Sequence, residues 1–157
     1  MKPKVYIETT VISYLTARKS PDLVVAGHQQ TTQHWWATVR HRCEVFASQF
    51  VAQEAAGGDP EMAKRRIEAL SGLVLVETTP EAIDLAEALI EGGAIPPSFG
   101  EDAVHVAIAV VNGADYLITW NCKHIANAAI RRRIEVICRS QGYEPTILCT
   151  PEELLDV

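Results

Sequence analysis

Short apolar runs of β-favouring residues alternate with helix-patterned segments from one end of this chain to the other. The runs are Val5-Tyr6-Ile7, Glu44 to Ser48, Leu73 to Val76, Asp115 to Thr119 and Thr146 to Cys149. Neighbouring parallel strands need a crossover between them, most often a helix. This alternation therefore predicts an α/β fold, with a mostly parallel sheet covered by helices on both faces. A length of 157 residues fits a single domain, and no repeat, low-complexity stretch or linker divides it.

Start and stop signals place the helices. Thr9 or Thr10 is suited to cap a first helix over Val11 to Leu15. Ser20-Pro21-Asp22 and Asp59-Pro60-Glu61 each combine a capping residue, a proline at the first helical position and an acid at the positive helix end. The helix from Ser20 is expected to run through Trp35, Trp36, Val39 and Arg40, and the one from Asp59 to end near Gly72. Phe50 to Ala56 reads as a short helix stopped by Gly57-Gly58. Pro80 to Glu91 sets Ala82, Leu85, Ala86 and Leu89 on one face. Asp102 to Val111 is apolar almost all round, so it is predicted to be buried, and Asn112-Gly113 ends it. Cys122 to Gln141 reads as helical, with room for a break, and Thr150-Pro151-Glu152-Glu153 opens a short terminal helix.

Bulk properties remove several classes. Net charge is −6, which argues against a broad nucleic-acid-coating surface but leaves room for a local site where a bound metal supplies positive charge. No apolar run approaches the roughly 18 residues of a membrane span, and Met1-Lys2-Pro3-Lys4 leads directly into the first strand, so a cytoplasmic protein without membrane association is expected. Cys43, Cys122, Cys138 and Cys149 have no zinc-site spacing and read as reduced thiols.

Four stretches place a carboxylate or amide beside an apolar run: Glu8, Glu54, Asp102 and Asn121. Taken singly, Glu8 reads as a solvated loop residue, Glu54 as a surface helical glutamate, Asp102 as an acid at a helix dipole and Asn121 as a helix cap. Their positions matter more together. Open parallel sheets bind ligands beyond the carboxyl ends of their strands. Glu8 directly follows the first strand, Asn121 lies just past the fourth, and Asp102 begins a helix that should approach the same edge. Such a set points to an oxygen-ligand pocket for a hard divalent cation. Lys123 and His124 read evenly as phosphate contacts or as a solvated first helical turn. His105 reads as a packed, hydrogen-bonded core histidine. Arg131-Arg132-Arg133 reads as a solvated face, and Trp35-Trp36 as core or interface.

The chain resembles the PIN-domain family of metal-dependent nucleases, in particular the VapC-type toxins. The resemblance is carried by Tyr6-Ile7-Glu8-Thr9-Thr10-Val11-Ile12, by Gln53-Glu54, and by Asp102-Ala103-Val104-His105-Val106-Ala107 continuing to Gly113 through Asn121. It implies a three-layer α/β/α fold with a central, mostly parallel sheet of four to five strands over residues 1–157. It also implies Glu8, Glu54, Asp102 and Asn121 as catalytic positions, with Glu8, Glu54 and Asp102 holding Mg²⁺ or Mn²⁺. Thr10, or its neighbour Thr9, and Thr119 would support the site. Glu8 stands where the family usually has aspartate, and Asn121 where a fourth acid is common.

The chemistry so implied is hydrolysis of an RNA phosphodiester by metal-bound water. The expected partners are an RNA substrate, an antitoxin protein that masks the site, and a second copy in a homodimer. The Glu8 and Asn121 departures motivate a different class, a catalytically weak or inactive PIN-like module that binds RNA or protein. A phosphatase-like hydrolase with a nucleophilic aspartate fits less well, because Glu8 follows the first strand and no Asp-x-Asp pair is present. Clustered carboxylates repel, so Glu54→Gln and Asp102→Asn are expected to leave folding intact or slightly improved.

Overall fold

The computed structural model describes residues 1–157. Five parallel strands form one sheet: β1 (Lys4–Ile7), β2 (Glu44–Ser48), β3 (Val74–Val76), β4 (Tyr116–Ile118) and β5 (Ile147–Cys149), in the order β3-β2-β1-β4-β5. Seven helices connect and cover them: α1 (Thr9–Thr16), α2 (Leu23–Thr38), α3 (Gln49–Ala55), α4 (Pro60–Leu70), α5 (Pro80–Glu91), α6 (Gly100–Val111) and α7 (Ala128–Ser140). Short 3-10 turns occupy Arg40–Arg42, Pro97–Phe99 and Pro151–Leu154.

The strand order explains the layers. From β1 to β2 to β3 the chain steps one way across the sheet; from β3 it crosses back to β4 and then steps on to β5. Right-handed crossovers put helices on opposite faces when the direction reverses. Accordingly α1, α2, α3 and α4 pack among themselves, and α5 packs against α6 and α7. The result is a three-layer α/β/α fold. The reversal falls between β1 and β4, and a crevice opens at such a switch point beyond the carboxyl ends of the strands.

Central β1 contributes Val5, Tyr6 and Ile7 to the core without exposure. Helix α6 buries Ala103 and His105 through Val110, as its largely apolar pattern predicts. At its end, Gly113 adopts φ 68°, and the Gly113 and Ala114 N–H groups donate to the Val110 and Ala109 carbonyls. This closure, which needs a left-handed residue, turns the chain straight into β4. Trp35 is buried in the core; Trp36 is half-buried beneath the Arg40 guanidinium, 4.4 Å from its ring centre.

Several boundaries differ from the sequence reading. The cap of α1 is Glu8, whose side chain accepts from the Thr10 N–H, rather than either threonine. The cap of α2 is Asp22 rather than Ser20, and the helix ends at Thr38, with Val39 and Arg40 in the following turn. Residues 122–127 form a run of turns, so α7 starts only at Ala128. The α1 and α2 caps differ from the expected ones by one or two residues, in opposite directions, because adjacent side chains compete for the same N–H groups.

Candidate active site

Glu8 leaves the end of β1 with its backbone N–H bonded to the Ile118 carbonyl of β4, 3.1 Å away. This places it at the switch point, beyond the carboxyl ends of β1 and β4. The residue is 4% exposed. One oxygen, Oε1, accepts the Thr10 N–H at 3.1 Å, the Thr10 hydroxyl at 2.5 Å and the Thr119 hydroxyl at 2.6 Å. Backbone groups fix those hydroxyls in the donating direction. Thr10 Oγ1 accepts from the Trp120 N–H at 2.8 Å and Thr119 Oγ1 from the Asn121 N–H at 2.9 Å, so each hydroxyl hydrogen is free for Glu8.

Glu54 comes from α3, which starts where β2 ends because Ser48 caps it. Its Oε1 accepts the Thr9 hydroxyl at 2.5 Å and the His105 Nε2–H at 2.6 Å. Burial pushes this carboxyl up, but the His105 hydrogen bond and charge, together with the Thr9 hydroxyl, outweigh it and hold Glu54 below the usual range. Asp102, in the first turn of α6, has Oδ2 3.0 Å from His124 Nδ1. His124 is itself buried, 4.1 Å from the Phe99 ring centre to centre. Its backbone N–H donates to Asn121 Oδ1 at 3.0 Å.

These contacts tie the sequence-predicted residues into one network. Adjacent Thr9 and Thr10 join Glu54 to Glu8; Thr119, Asn121 and His124 then join Glu8 to Asp102. Lys123 is exposed, with its ammonium 5.8 Å from the Phe99 ring centre, whereas His124 is inside the structure and not in a solvated helical turn. Asn121 does act as a cap, although of a turn and not a helix. Asp115 lies at the other end of β4, where it accepts the Lys4 N–H at 2.7 Å.

Three contributors were missed in the sequence: Tyr6, Ser48 and the carboxylate-bonding role of His105. The Tyr6 hydroxyl is 2.9 Å from both Ser48 Oγ and His105 Nδ1, and Ser48 Oγ also accepts the Val51 N–H. Burial raises the Tyr6 hydroxyl far above its ordinary pKa, so it stays protonated. One signal was available. His105 interrupts an apolar helix three residues after Asp102, a spacing that puts both on one face.

On each of Glu8, Glu54 and Asp102 one oxygen carries all the protein hydrogen bonds. The other oxygen has no protein partner, and the protein's buried unpaired polar atoms are Trp35 Nε1 and Arg131 Nε, not these. Each carboxylate thus presents one oxygen outward. This donor set suits a hard divalent ion. The spacing is looser than a preformed ion cage: no three Asp, Glu, His or Cys side chains stand together as a ligand group.

No family model matches the sequence, and no curated protein matches it. Among solved structures, the chain is similar to Mycobacterium tuberculosis VapC20, described as a sarcin-ricin loop cleaving toxin. The match has a TM-score of 0.58 and 16% identity, and covers 77% of this chain and 92% of that one. With its all-parallel sheet order, its layers and this structural likeness, the chain has the PIN-domain fold.

Proposed function

We propose that the protein is a metal-dependent endoribonuclease, the toxin of a toxin–antitoxin pair. One observation carries this reading: three carboxylates from distant parts of the sequence share a hydrogen-bonded network at the switch point, each with an oxygen left open. The likeness in fold to a toxin described as cleaving an RNA loop supports the choice of RNA over other phosphodiesters. Glu8, Glu54 and Asp102 would hold Mg²⁺ or Mn²⁺, which when bound supplies an activated water and charge stabilisation at phosphate. The chain's own residues orient the site. Thr10 and Thr119 hold Glu8, Thr9 and His105 hold Glu54, and His124 holds Asp102. Asn121 fixes the turn that presents His124. Exposed Lys123 is positioned at the same turn to meet a phosphate.

The reading includes a cytoplasmic setting, an antitoxin that covers the crevice, and a homodimer. Supporting the first is only that no helix is long and apolar enough to cross a membrane. The test is incubation of purified protein with RNA, with and without Mn²⁺. Cleavage is expected only with metal, and Asp102→Asn should lower it at least 100-fold at unchanged melting temperature, since an amide at that position still accepts from His124.

A second reading is a catalytically weak binding module. The absence of a three-ligand group and the saturation of Glu8 Oε1 favour it. RNA bound but left intact under every metal condition would establish it over the first.

A further inference from the structure

We propose that His105 is a positioning residue for Glu54: buried in the second turn of α6, it fixes which carboxylate oxygen is left open for a ligand. The inference rests on the active site proposed above and deepens it.

His105 is 1% exposed and bonded at both ring nitrogens. An ionised carboxylate only accepts, so Nε2 carries a hydrogen and donates to Glu54 Oε1 at 2.6 Å. The Tyr6 hydroxyl closes Nδ1 at 2.9 Å, and Ser48 closes the Tyr6 hydroxyl at 2.9 Å. Ser48 is in turn the cap of α3, the helix that carries Glu54. The chain of contacts therefore leaves the helix at its first turn and returns to it at Glu54. The Phe50 ring, also on α3, lies 4.9 Å from the imidazole centre to centre and limits its swing. With Thr9 on the same oxygen, Oε1 is fully used and Oε2 is the atom left for a ligand. A core histidine needed only for packing has no reason to meet a partly exposed glutamate in this way; an apolar side chain would fill the same space without polar partners.

Two variants separate positioning from packing. His105→Asn keeps a carboxamide near Nδ1, within reach of Tyr6, and removes the donor to Glu54. His105→Gln carries its amide nitrogen out toward the place of Nε2. With RNA and Mn²⁺, His105→Asn should lower kcat about 10–100-fold while KM for RNA stays within about twofold. Calorimetry with Mn²⁺ alone should show roughly tenfold weaker binding, and His105→Gln should recover most of both losses. In wild-type protein labelled with ¹⁵N histidine, Mg²⁺ should shift the His105 Nε2 resonance, and Glu54→Gln should abolish that shift.

Wild-type kcat and Mn²⁺ affinity in His105→Asn overturn the assignment. So do equal losses in both variants that track equal drops in melting temperature. Should His105→Asn fail to fold, an Nε2 resonance unmoved by Mg²⁺ in the wild type overturns it alone. Glu54→Gln tells the two readings apart. If it loses activity and Mn²⁺ binding while His105→Asn keeps both, only the positioning role fails. If Glu54→Gln behaves as wild type, or the wild type binds no Mn²⁺, the active site itself is wrong and the positioning role falls with it.

Discussion

Glu8 and Glu54 stabilise their charges in different ways, and the difference has consequences at the level of single residues. Glu8 is nearly enclosed and rests on one N–H and two hydroxyls, whereas Glu54 is about one-third exposed and rests on a hydroxyl and an imidazole. The expectation that removing an acid relieves repulsion gives way at Glu54, whose carboxyl is held below its ordinary value of 4.5. A depressed folded-state pKa means stabilisation that is present above the unfolded value and lost as pH falls through the folded one. Glu54→Gln is therefore expected to cost about 1 kcal/mol near pH 7, a modest figure because solvent screens a partly exposed pair. Urea denaturation of both proteins should show that difference shrinking below pH 4.5. Positions were legible in the sequence for Glu8 and Asn121, which strand direction alone sends to one edge, and for Asp102, which opens a helix expected to approach it. Of their partners, Thr10 and Thr119 were named through the family resemblance, whereas the His105 bond to Glu54 across 51 residues and the His124 bond to Asp102 were not, because no local pattern encodes such pairings.

Among the elements, those specified by adjacent residues were read closely. Both β2 (Glu44–Ser48) and α5 (Pro80–Glu91) match the expected spans, and Ala82, Leu85, Ala86 and Leu89 are all buried. Where a tertiary contact decides, the reading failed. The segment after β4 stays in turns because Asn121 and the Asp102–His124 bond hold it there, and helix propensity is too weak a force to prevail. The contact between α5 and α7 makes a separate prediction. A Cβ on Gly92 would meet the Ile137 Cδ1 atom at 2.5 Å and the Ala88 carbonyl at 3.1 Å. Gly92→Ala should therefore cost about 1–3 kcal/mol, seen as a lower melting temperature, despite the usual gain from replacing a glycine whose backbone suits alanine. An unchanged melting temperature would mean Ile137 moves aside freely.

On the scale of the whole molecule, the sheet order was not legible, because strand neighbours are chosen by crossover direction and not by any one run. What was legible is that two strands deliver polar groups to a common edge, and the reversal between β1 and β4 is what makes that edge a crevice. If three open carboxylate oxygens gather an ion there, binding must stabilise the fold. Mn²⁺ at about 100 times its Kd adds roughly 2.7 kcal/mol, which for a chain this size raises Tm by about 5–10 °C. Scanning calorimetry should show that rise in the wild type and little of it in Asp102→Asn; a flat response in the wild type would count against a bound ion.

The same topology makes the site depend on residues far apart along the chain. Thr119, which anchors Glu8, lies 111 residues after it, and His124, which anchors Asp102, lies beyond Thr119. A chain cut before Thr119 keeps all three acids, but it lacks the Thr119 hydroxyl on Glu8 and the His124 imidazole on Asp102. On the nuclease reading, a chain truncated before Thr119 is expected to leave RNA uncut in the presence of Mn²⁺.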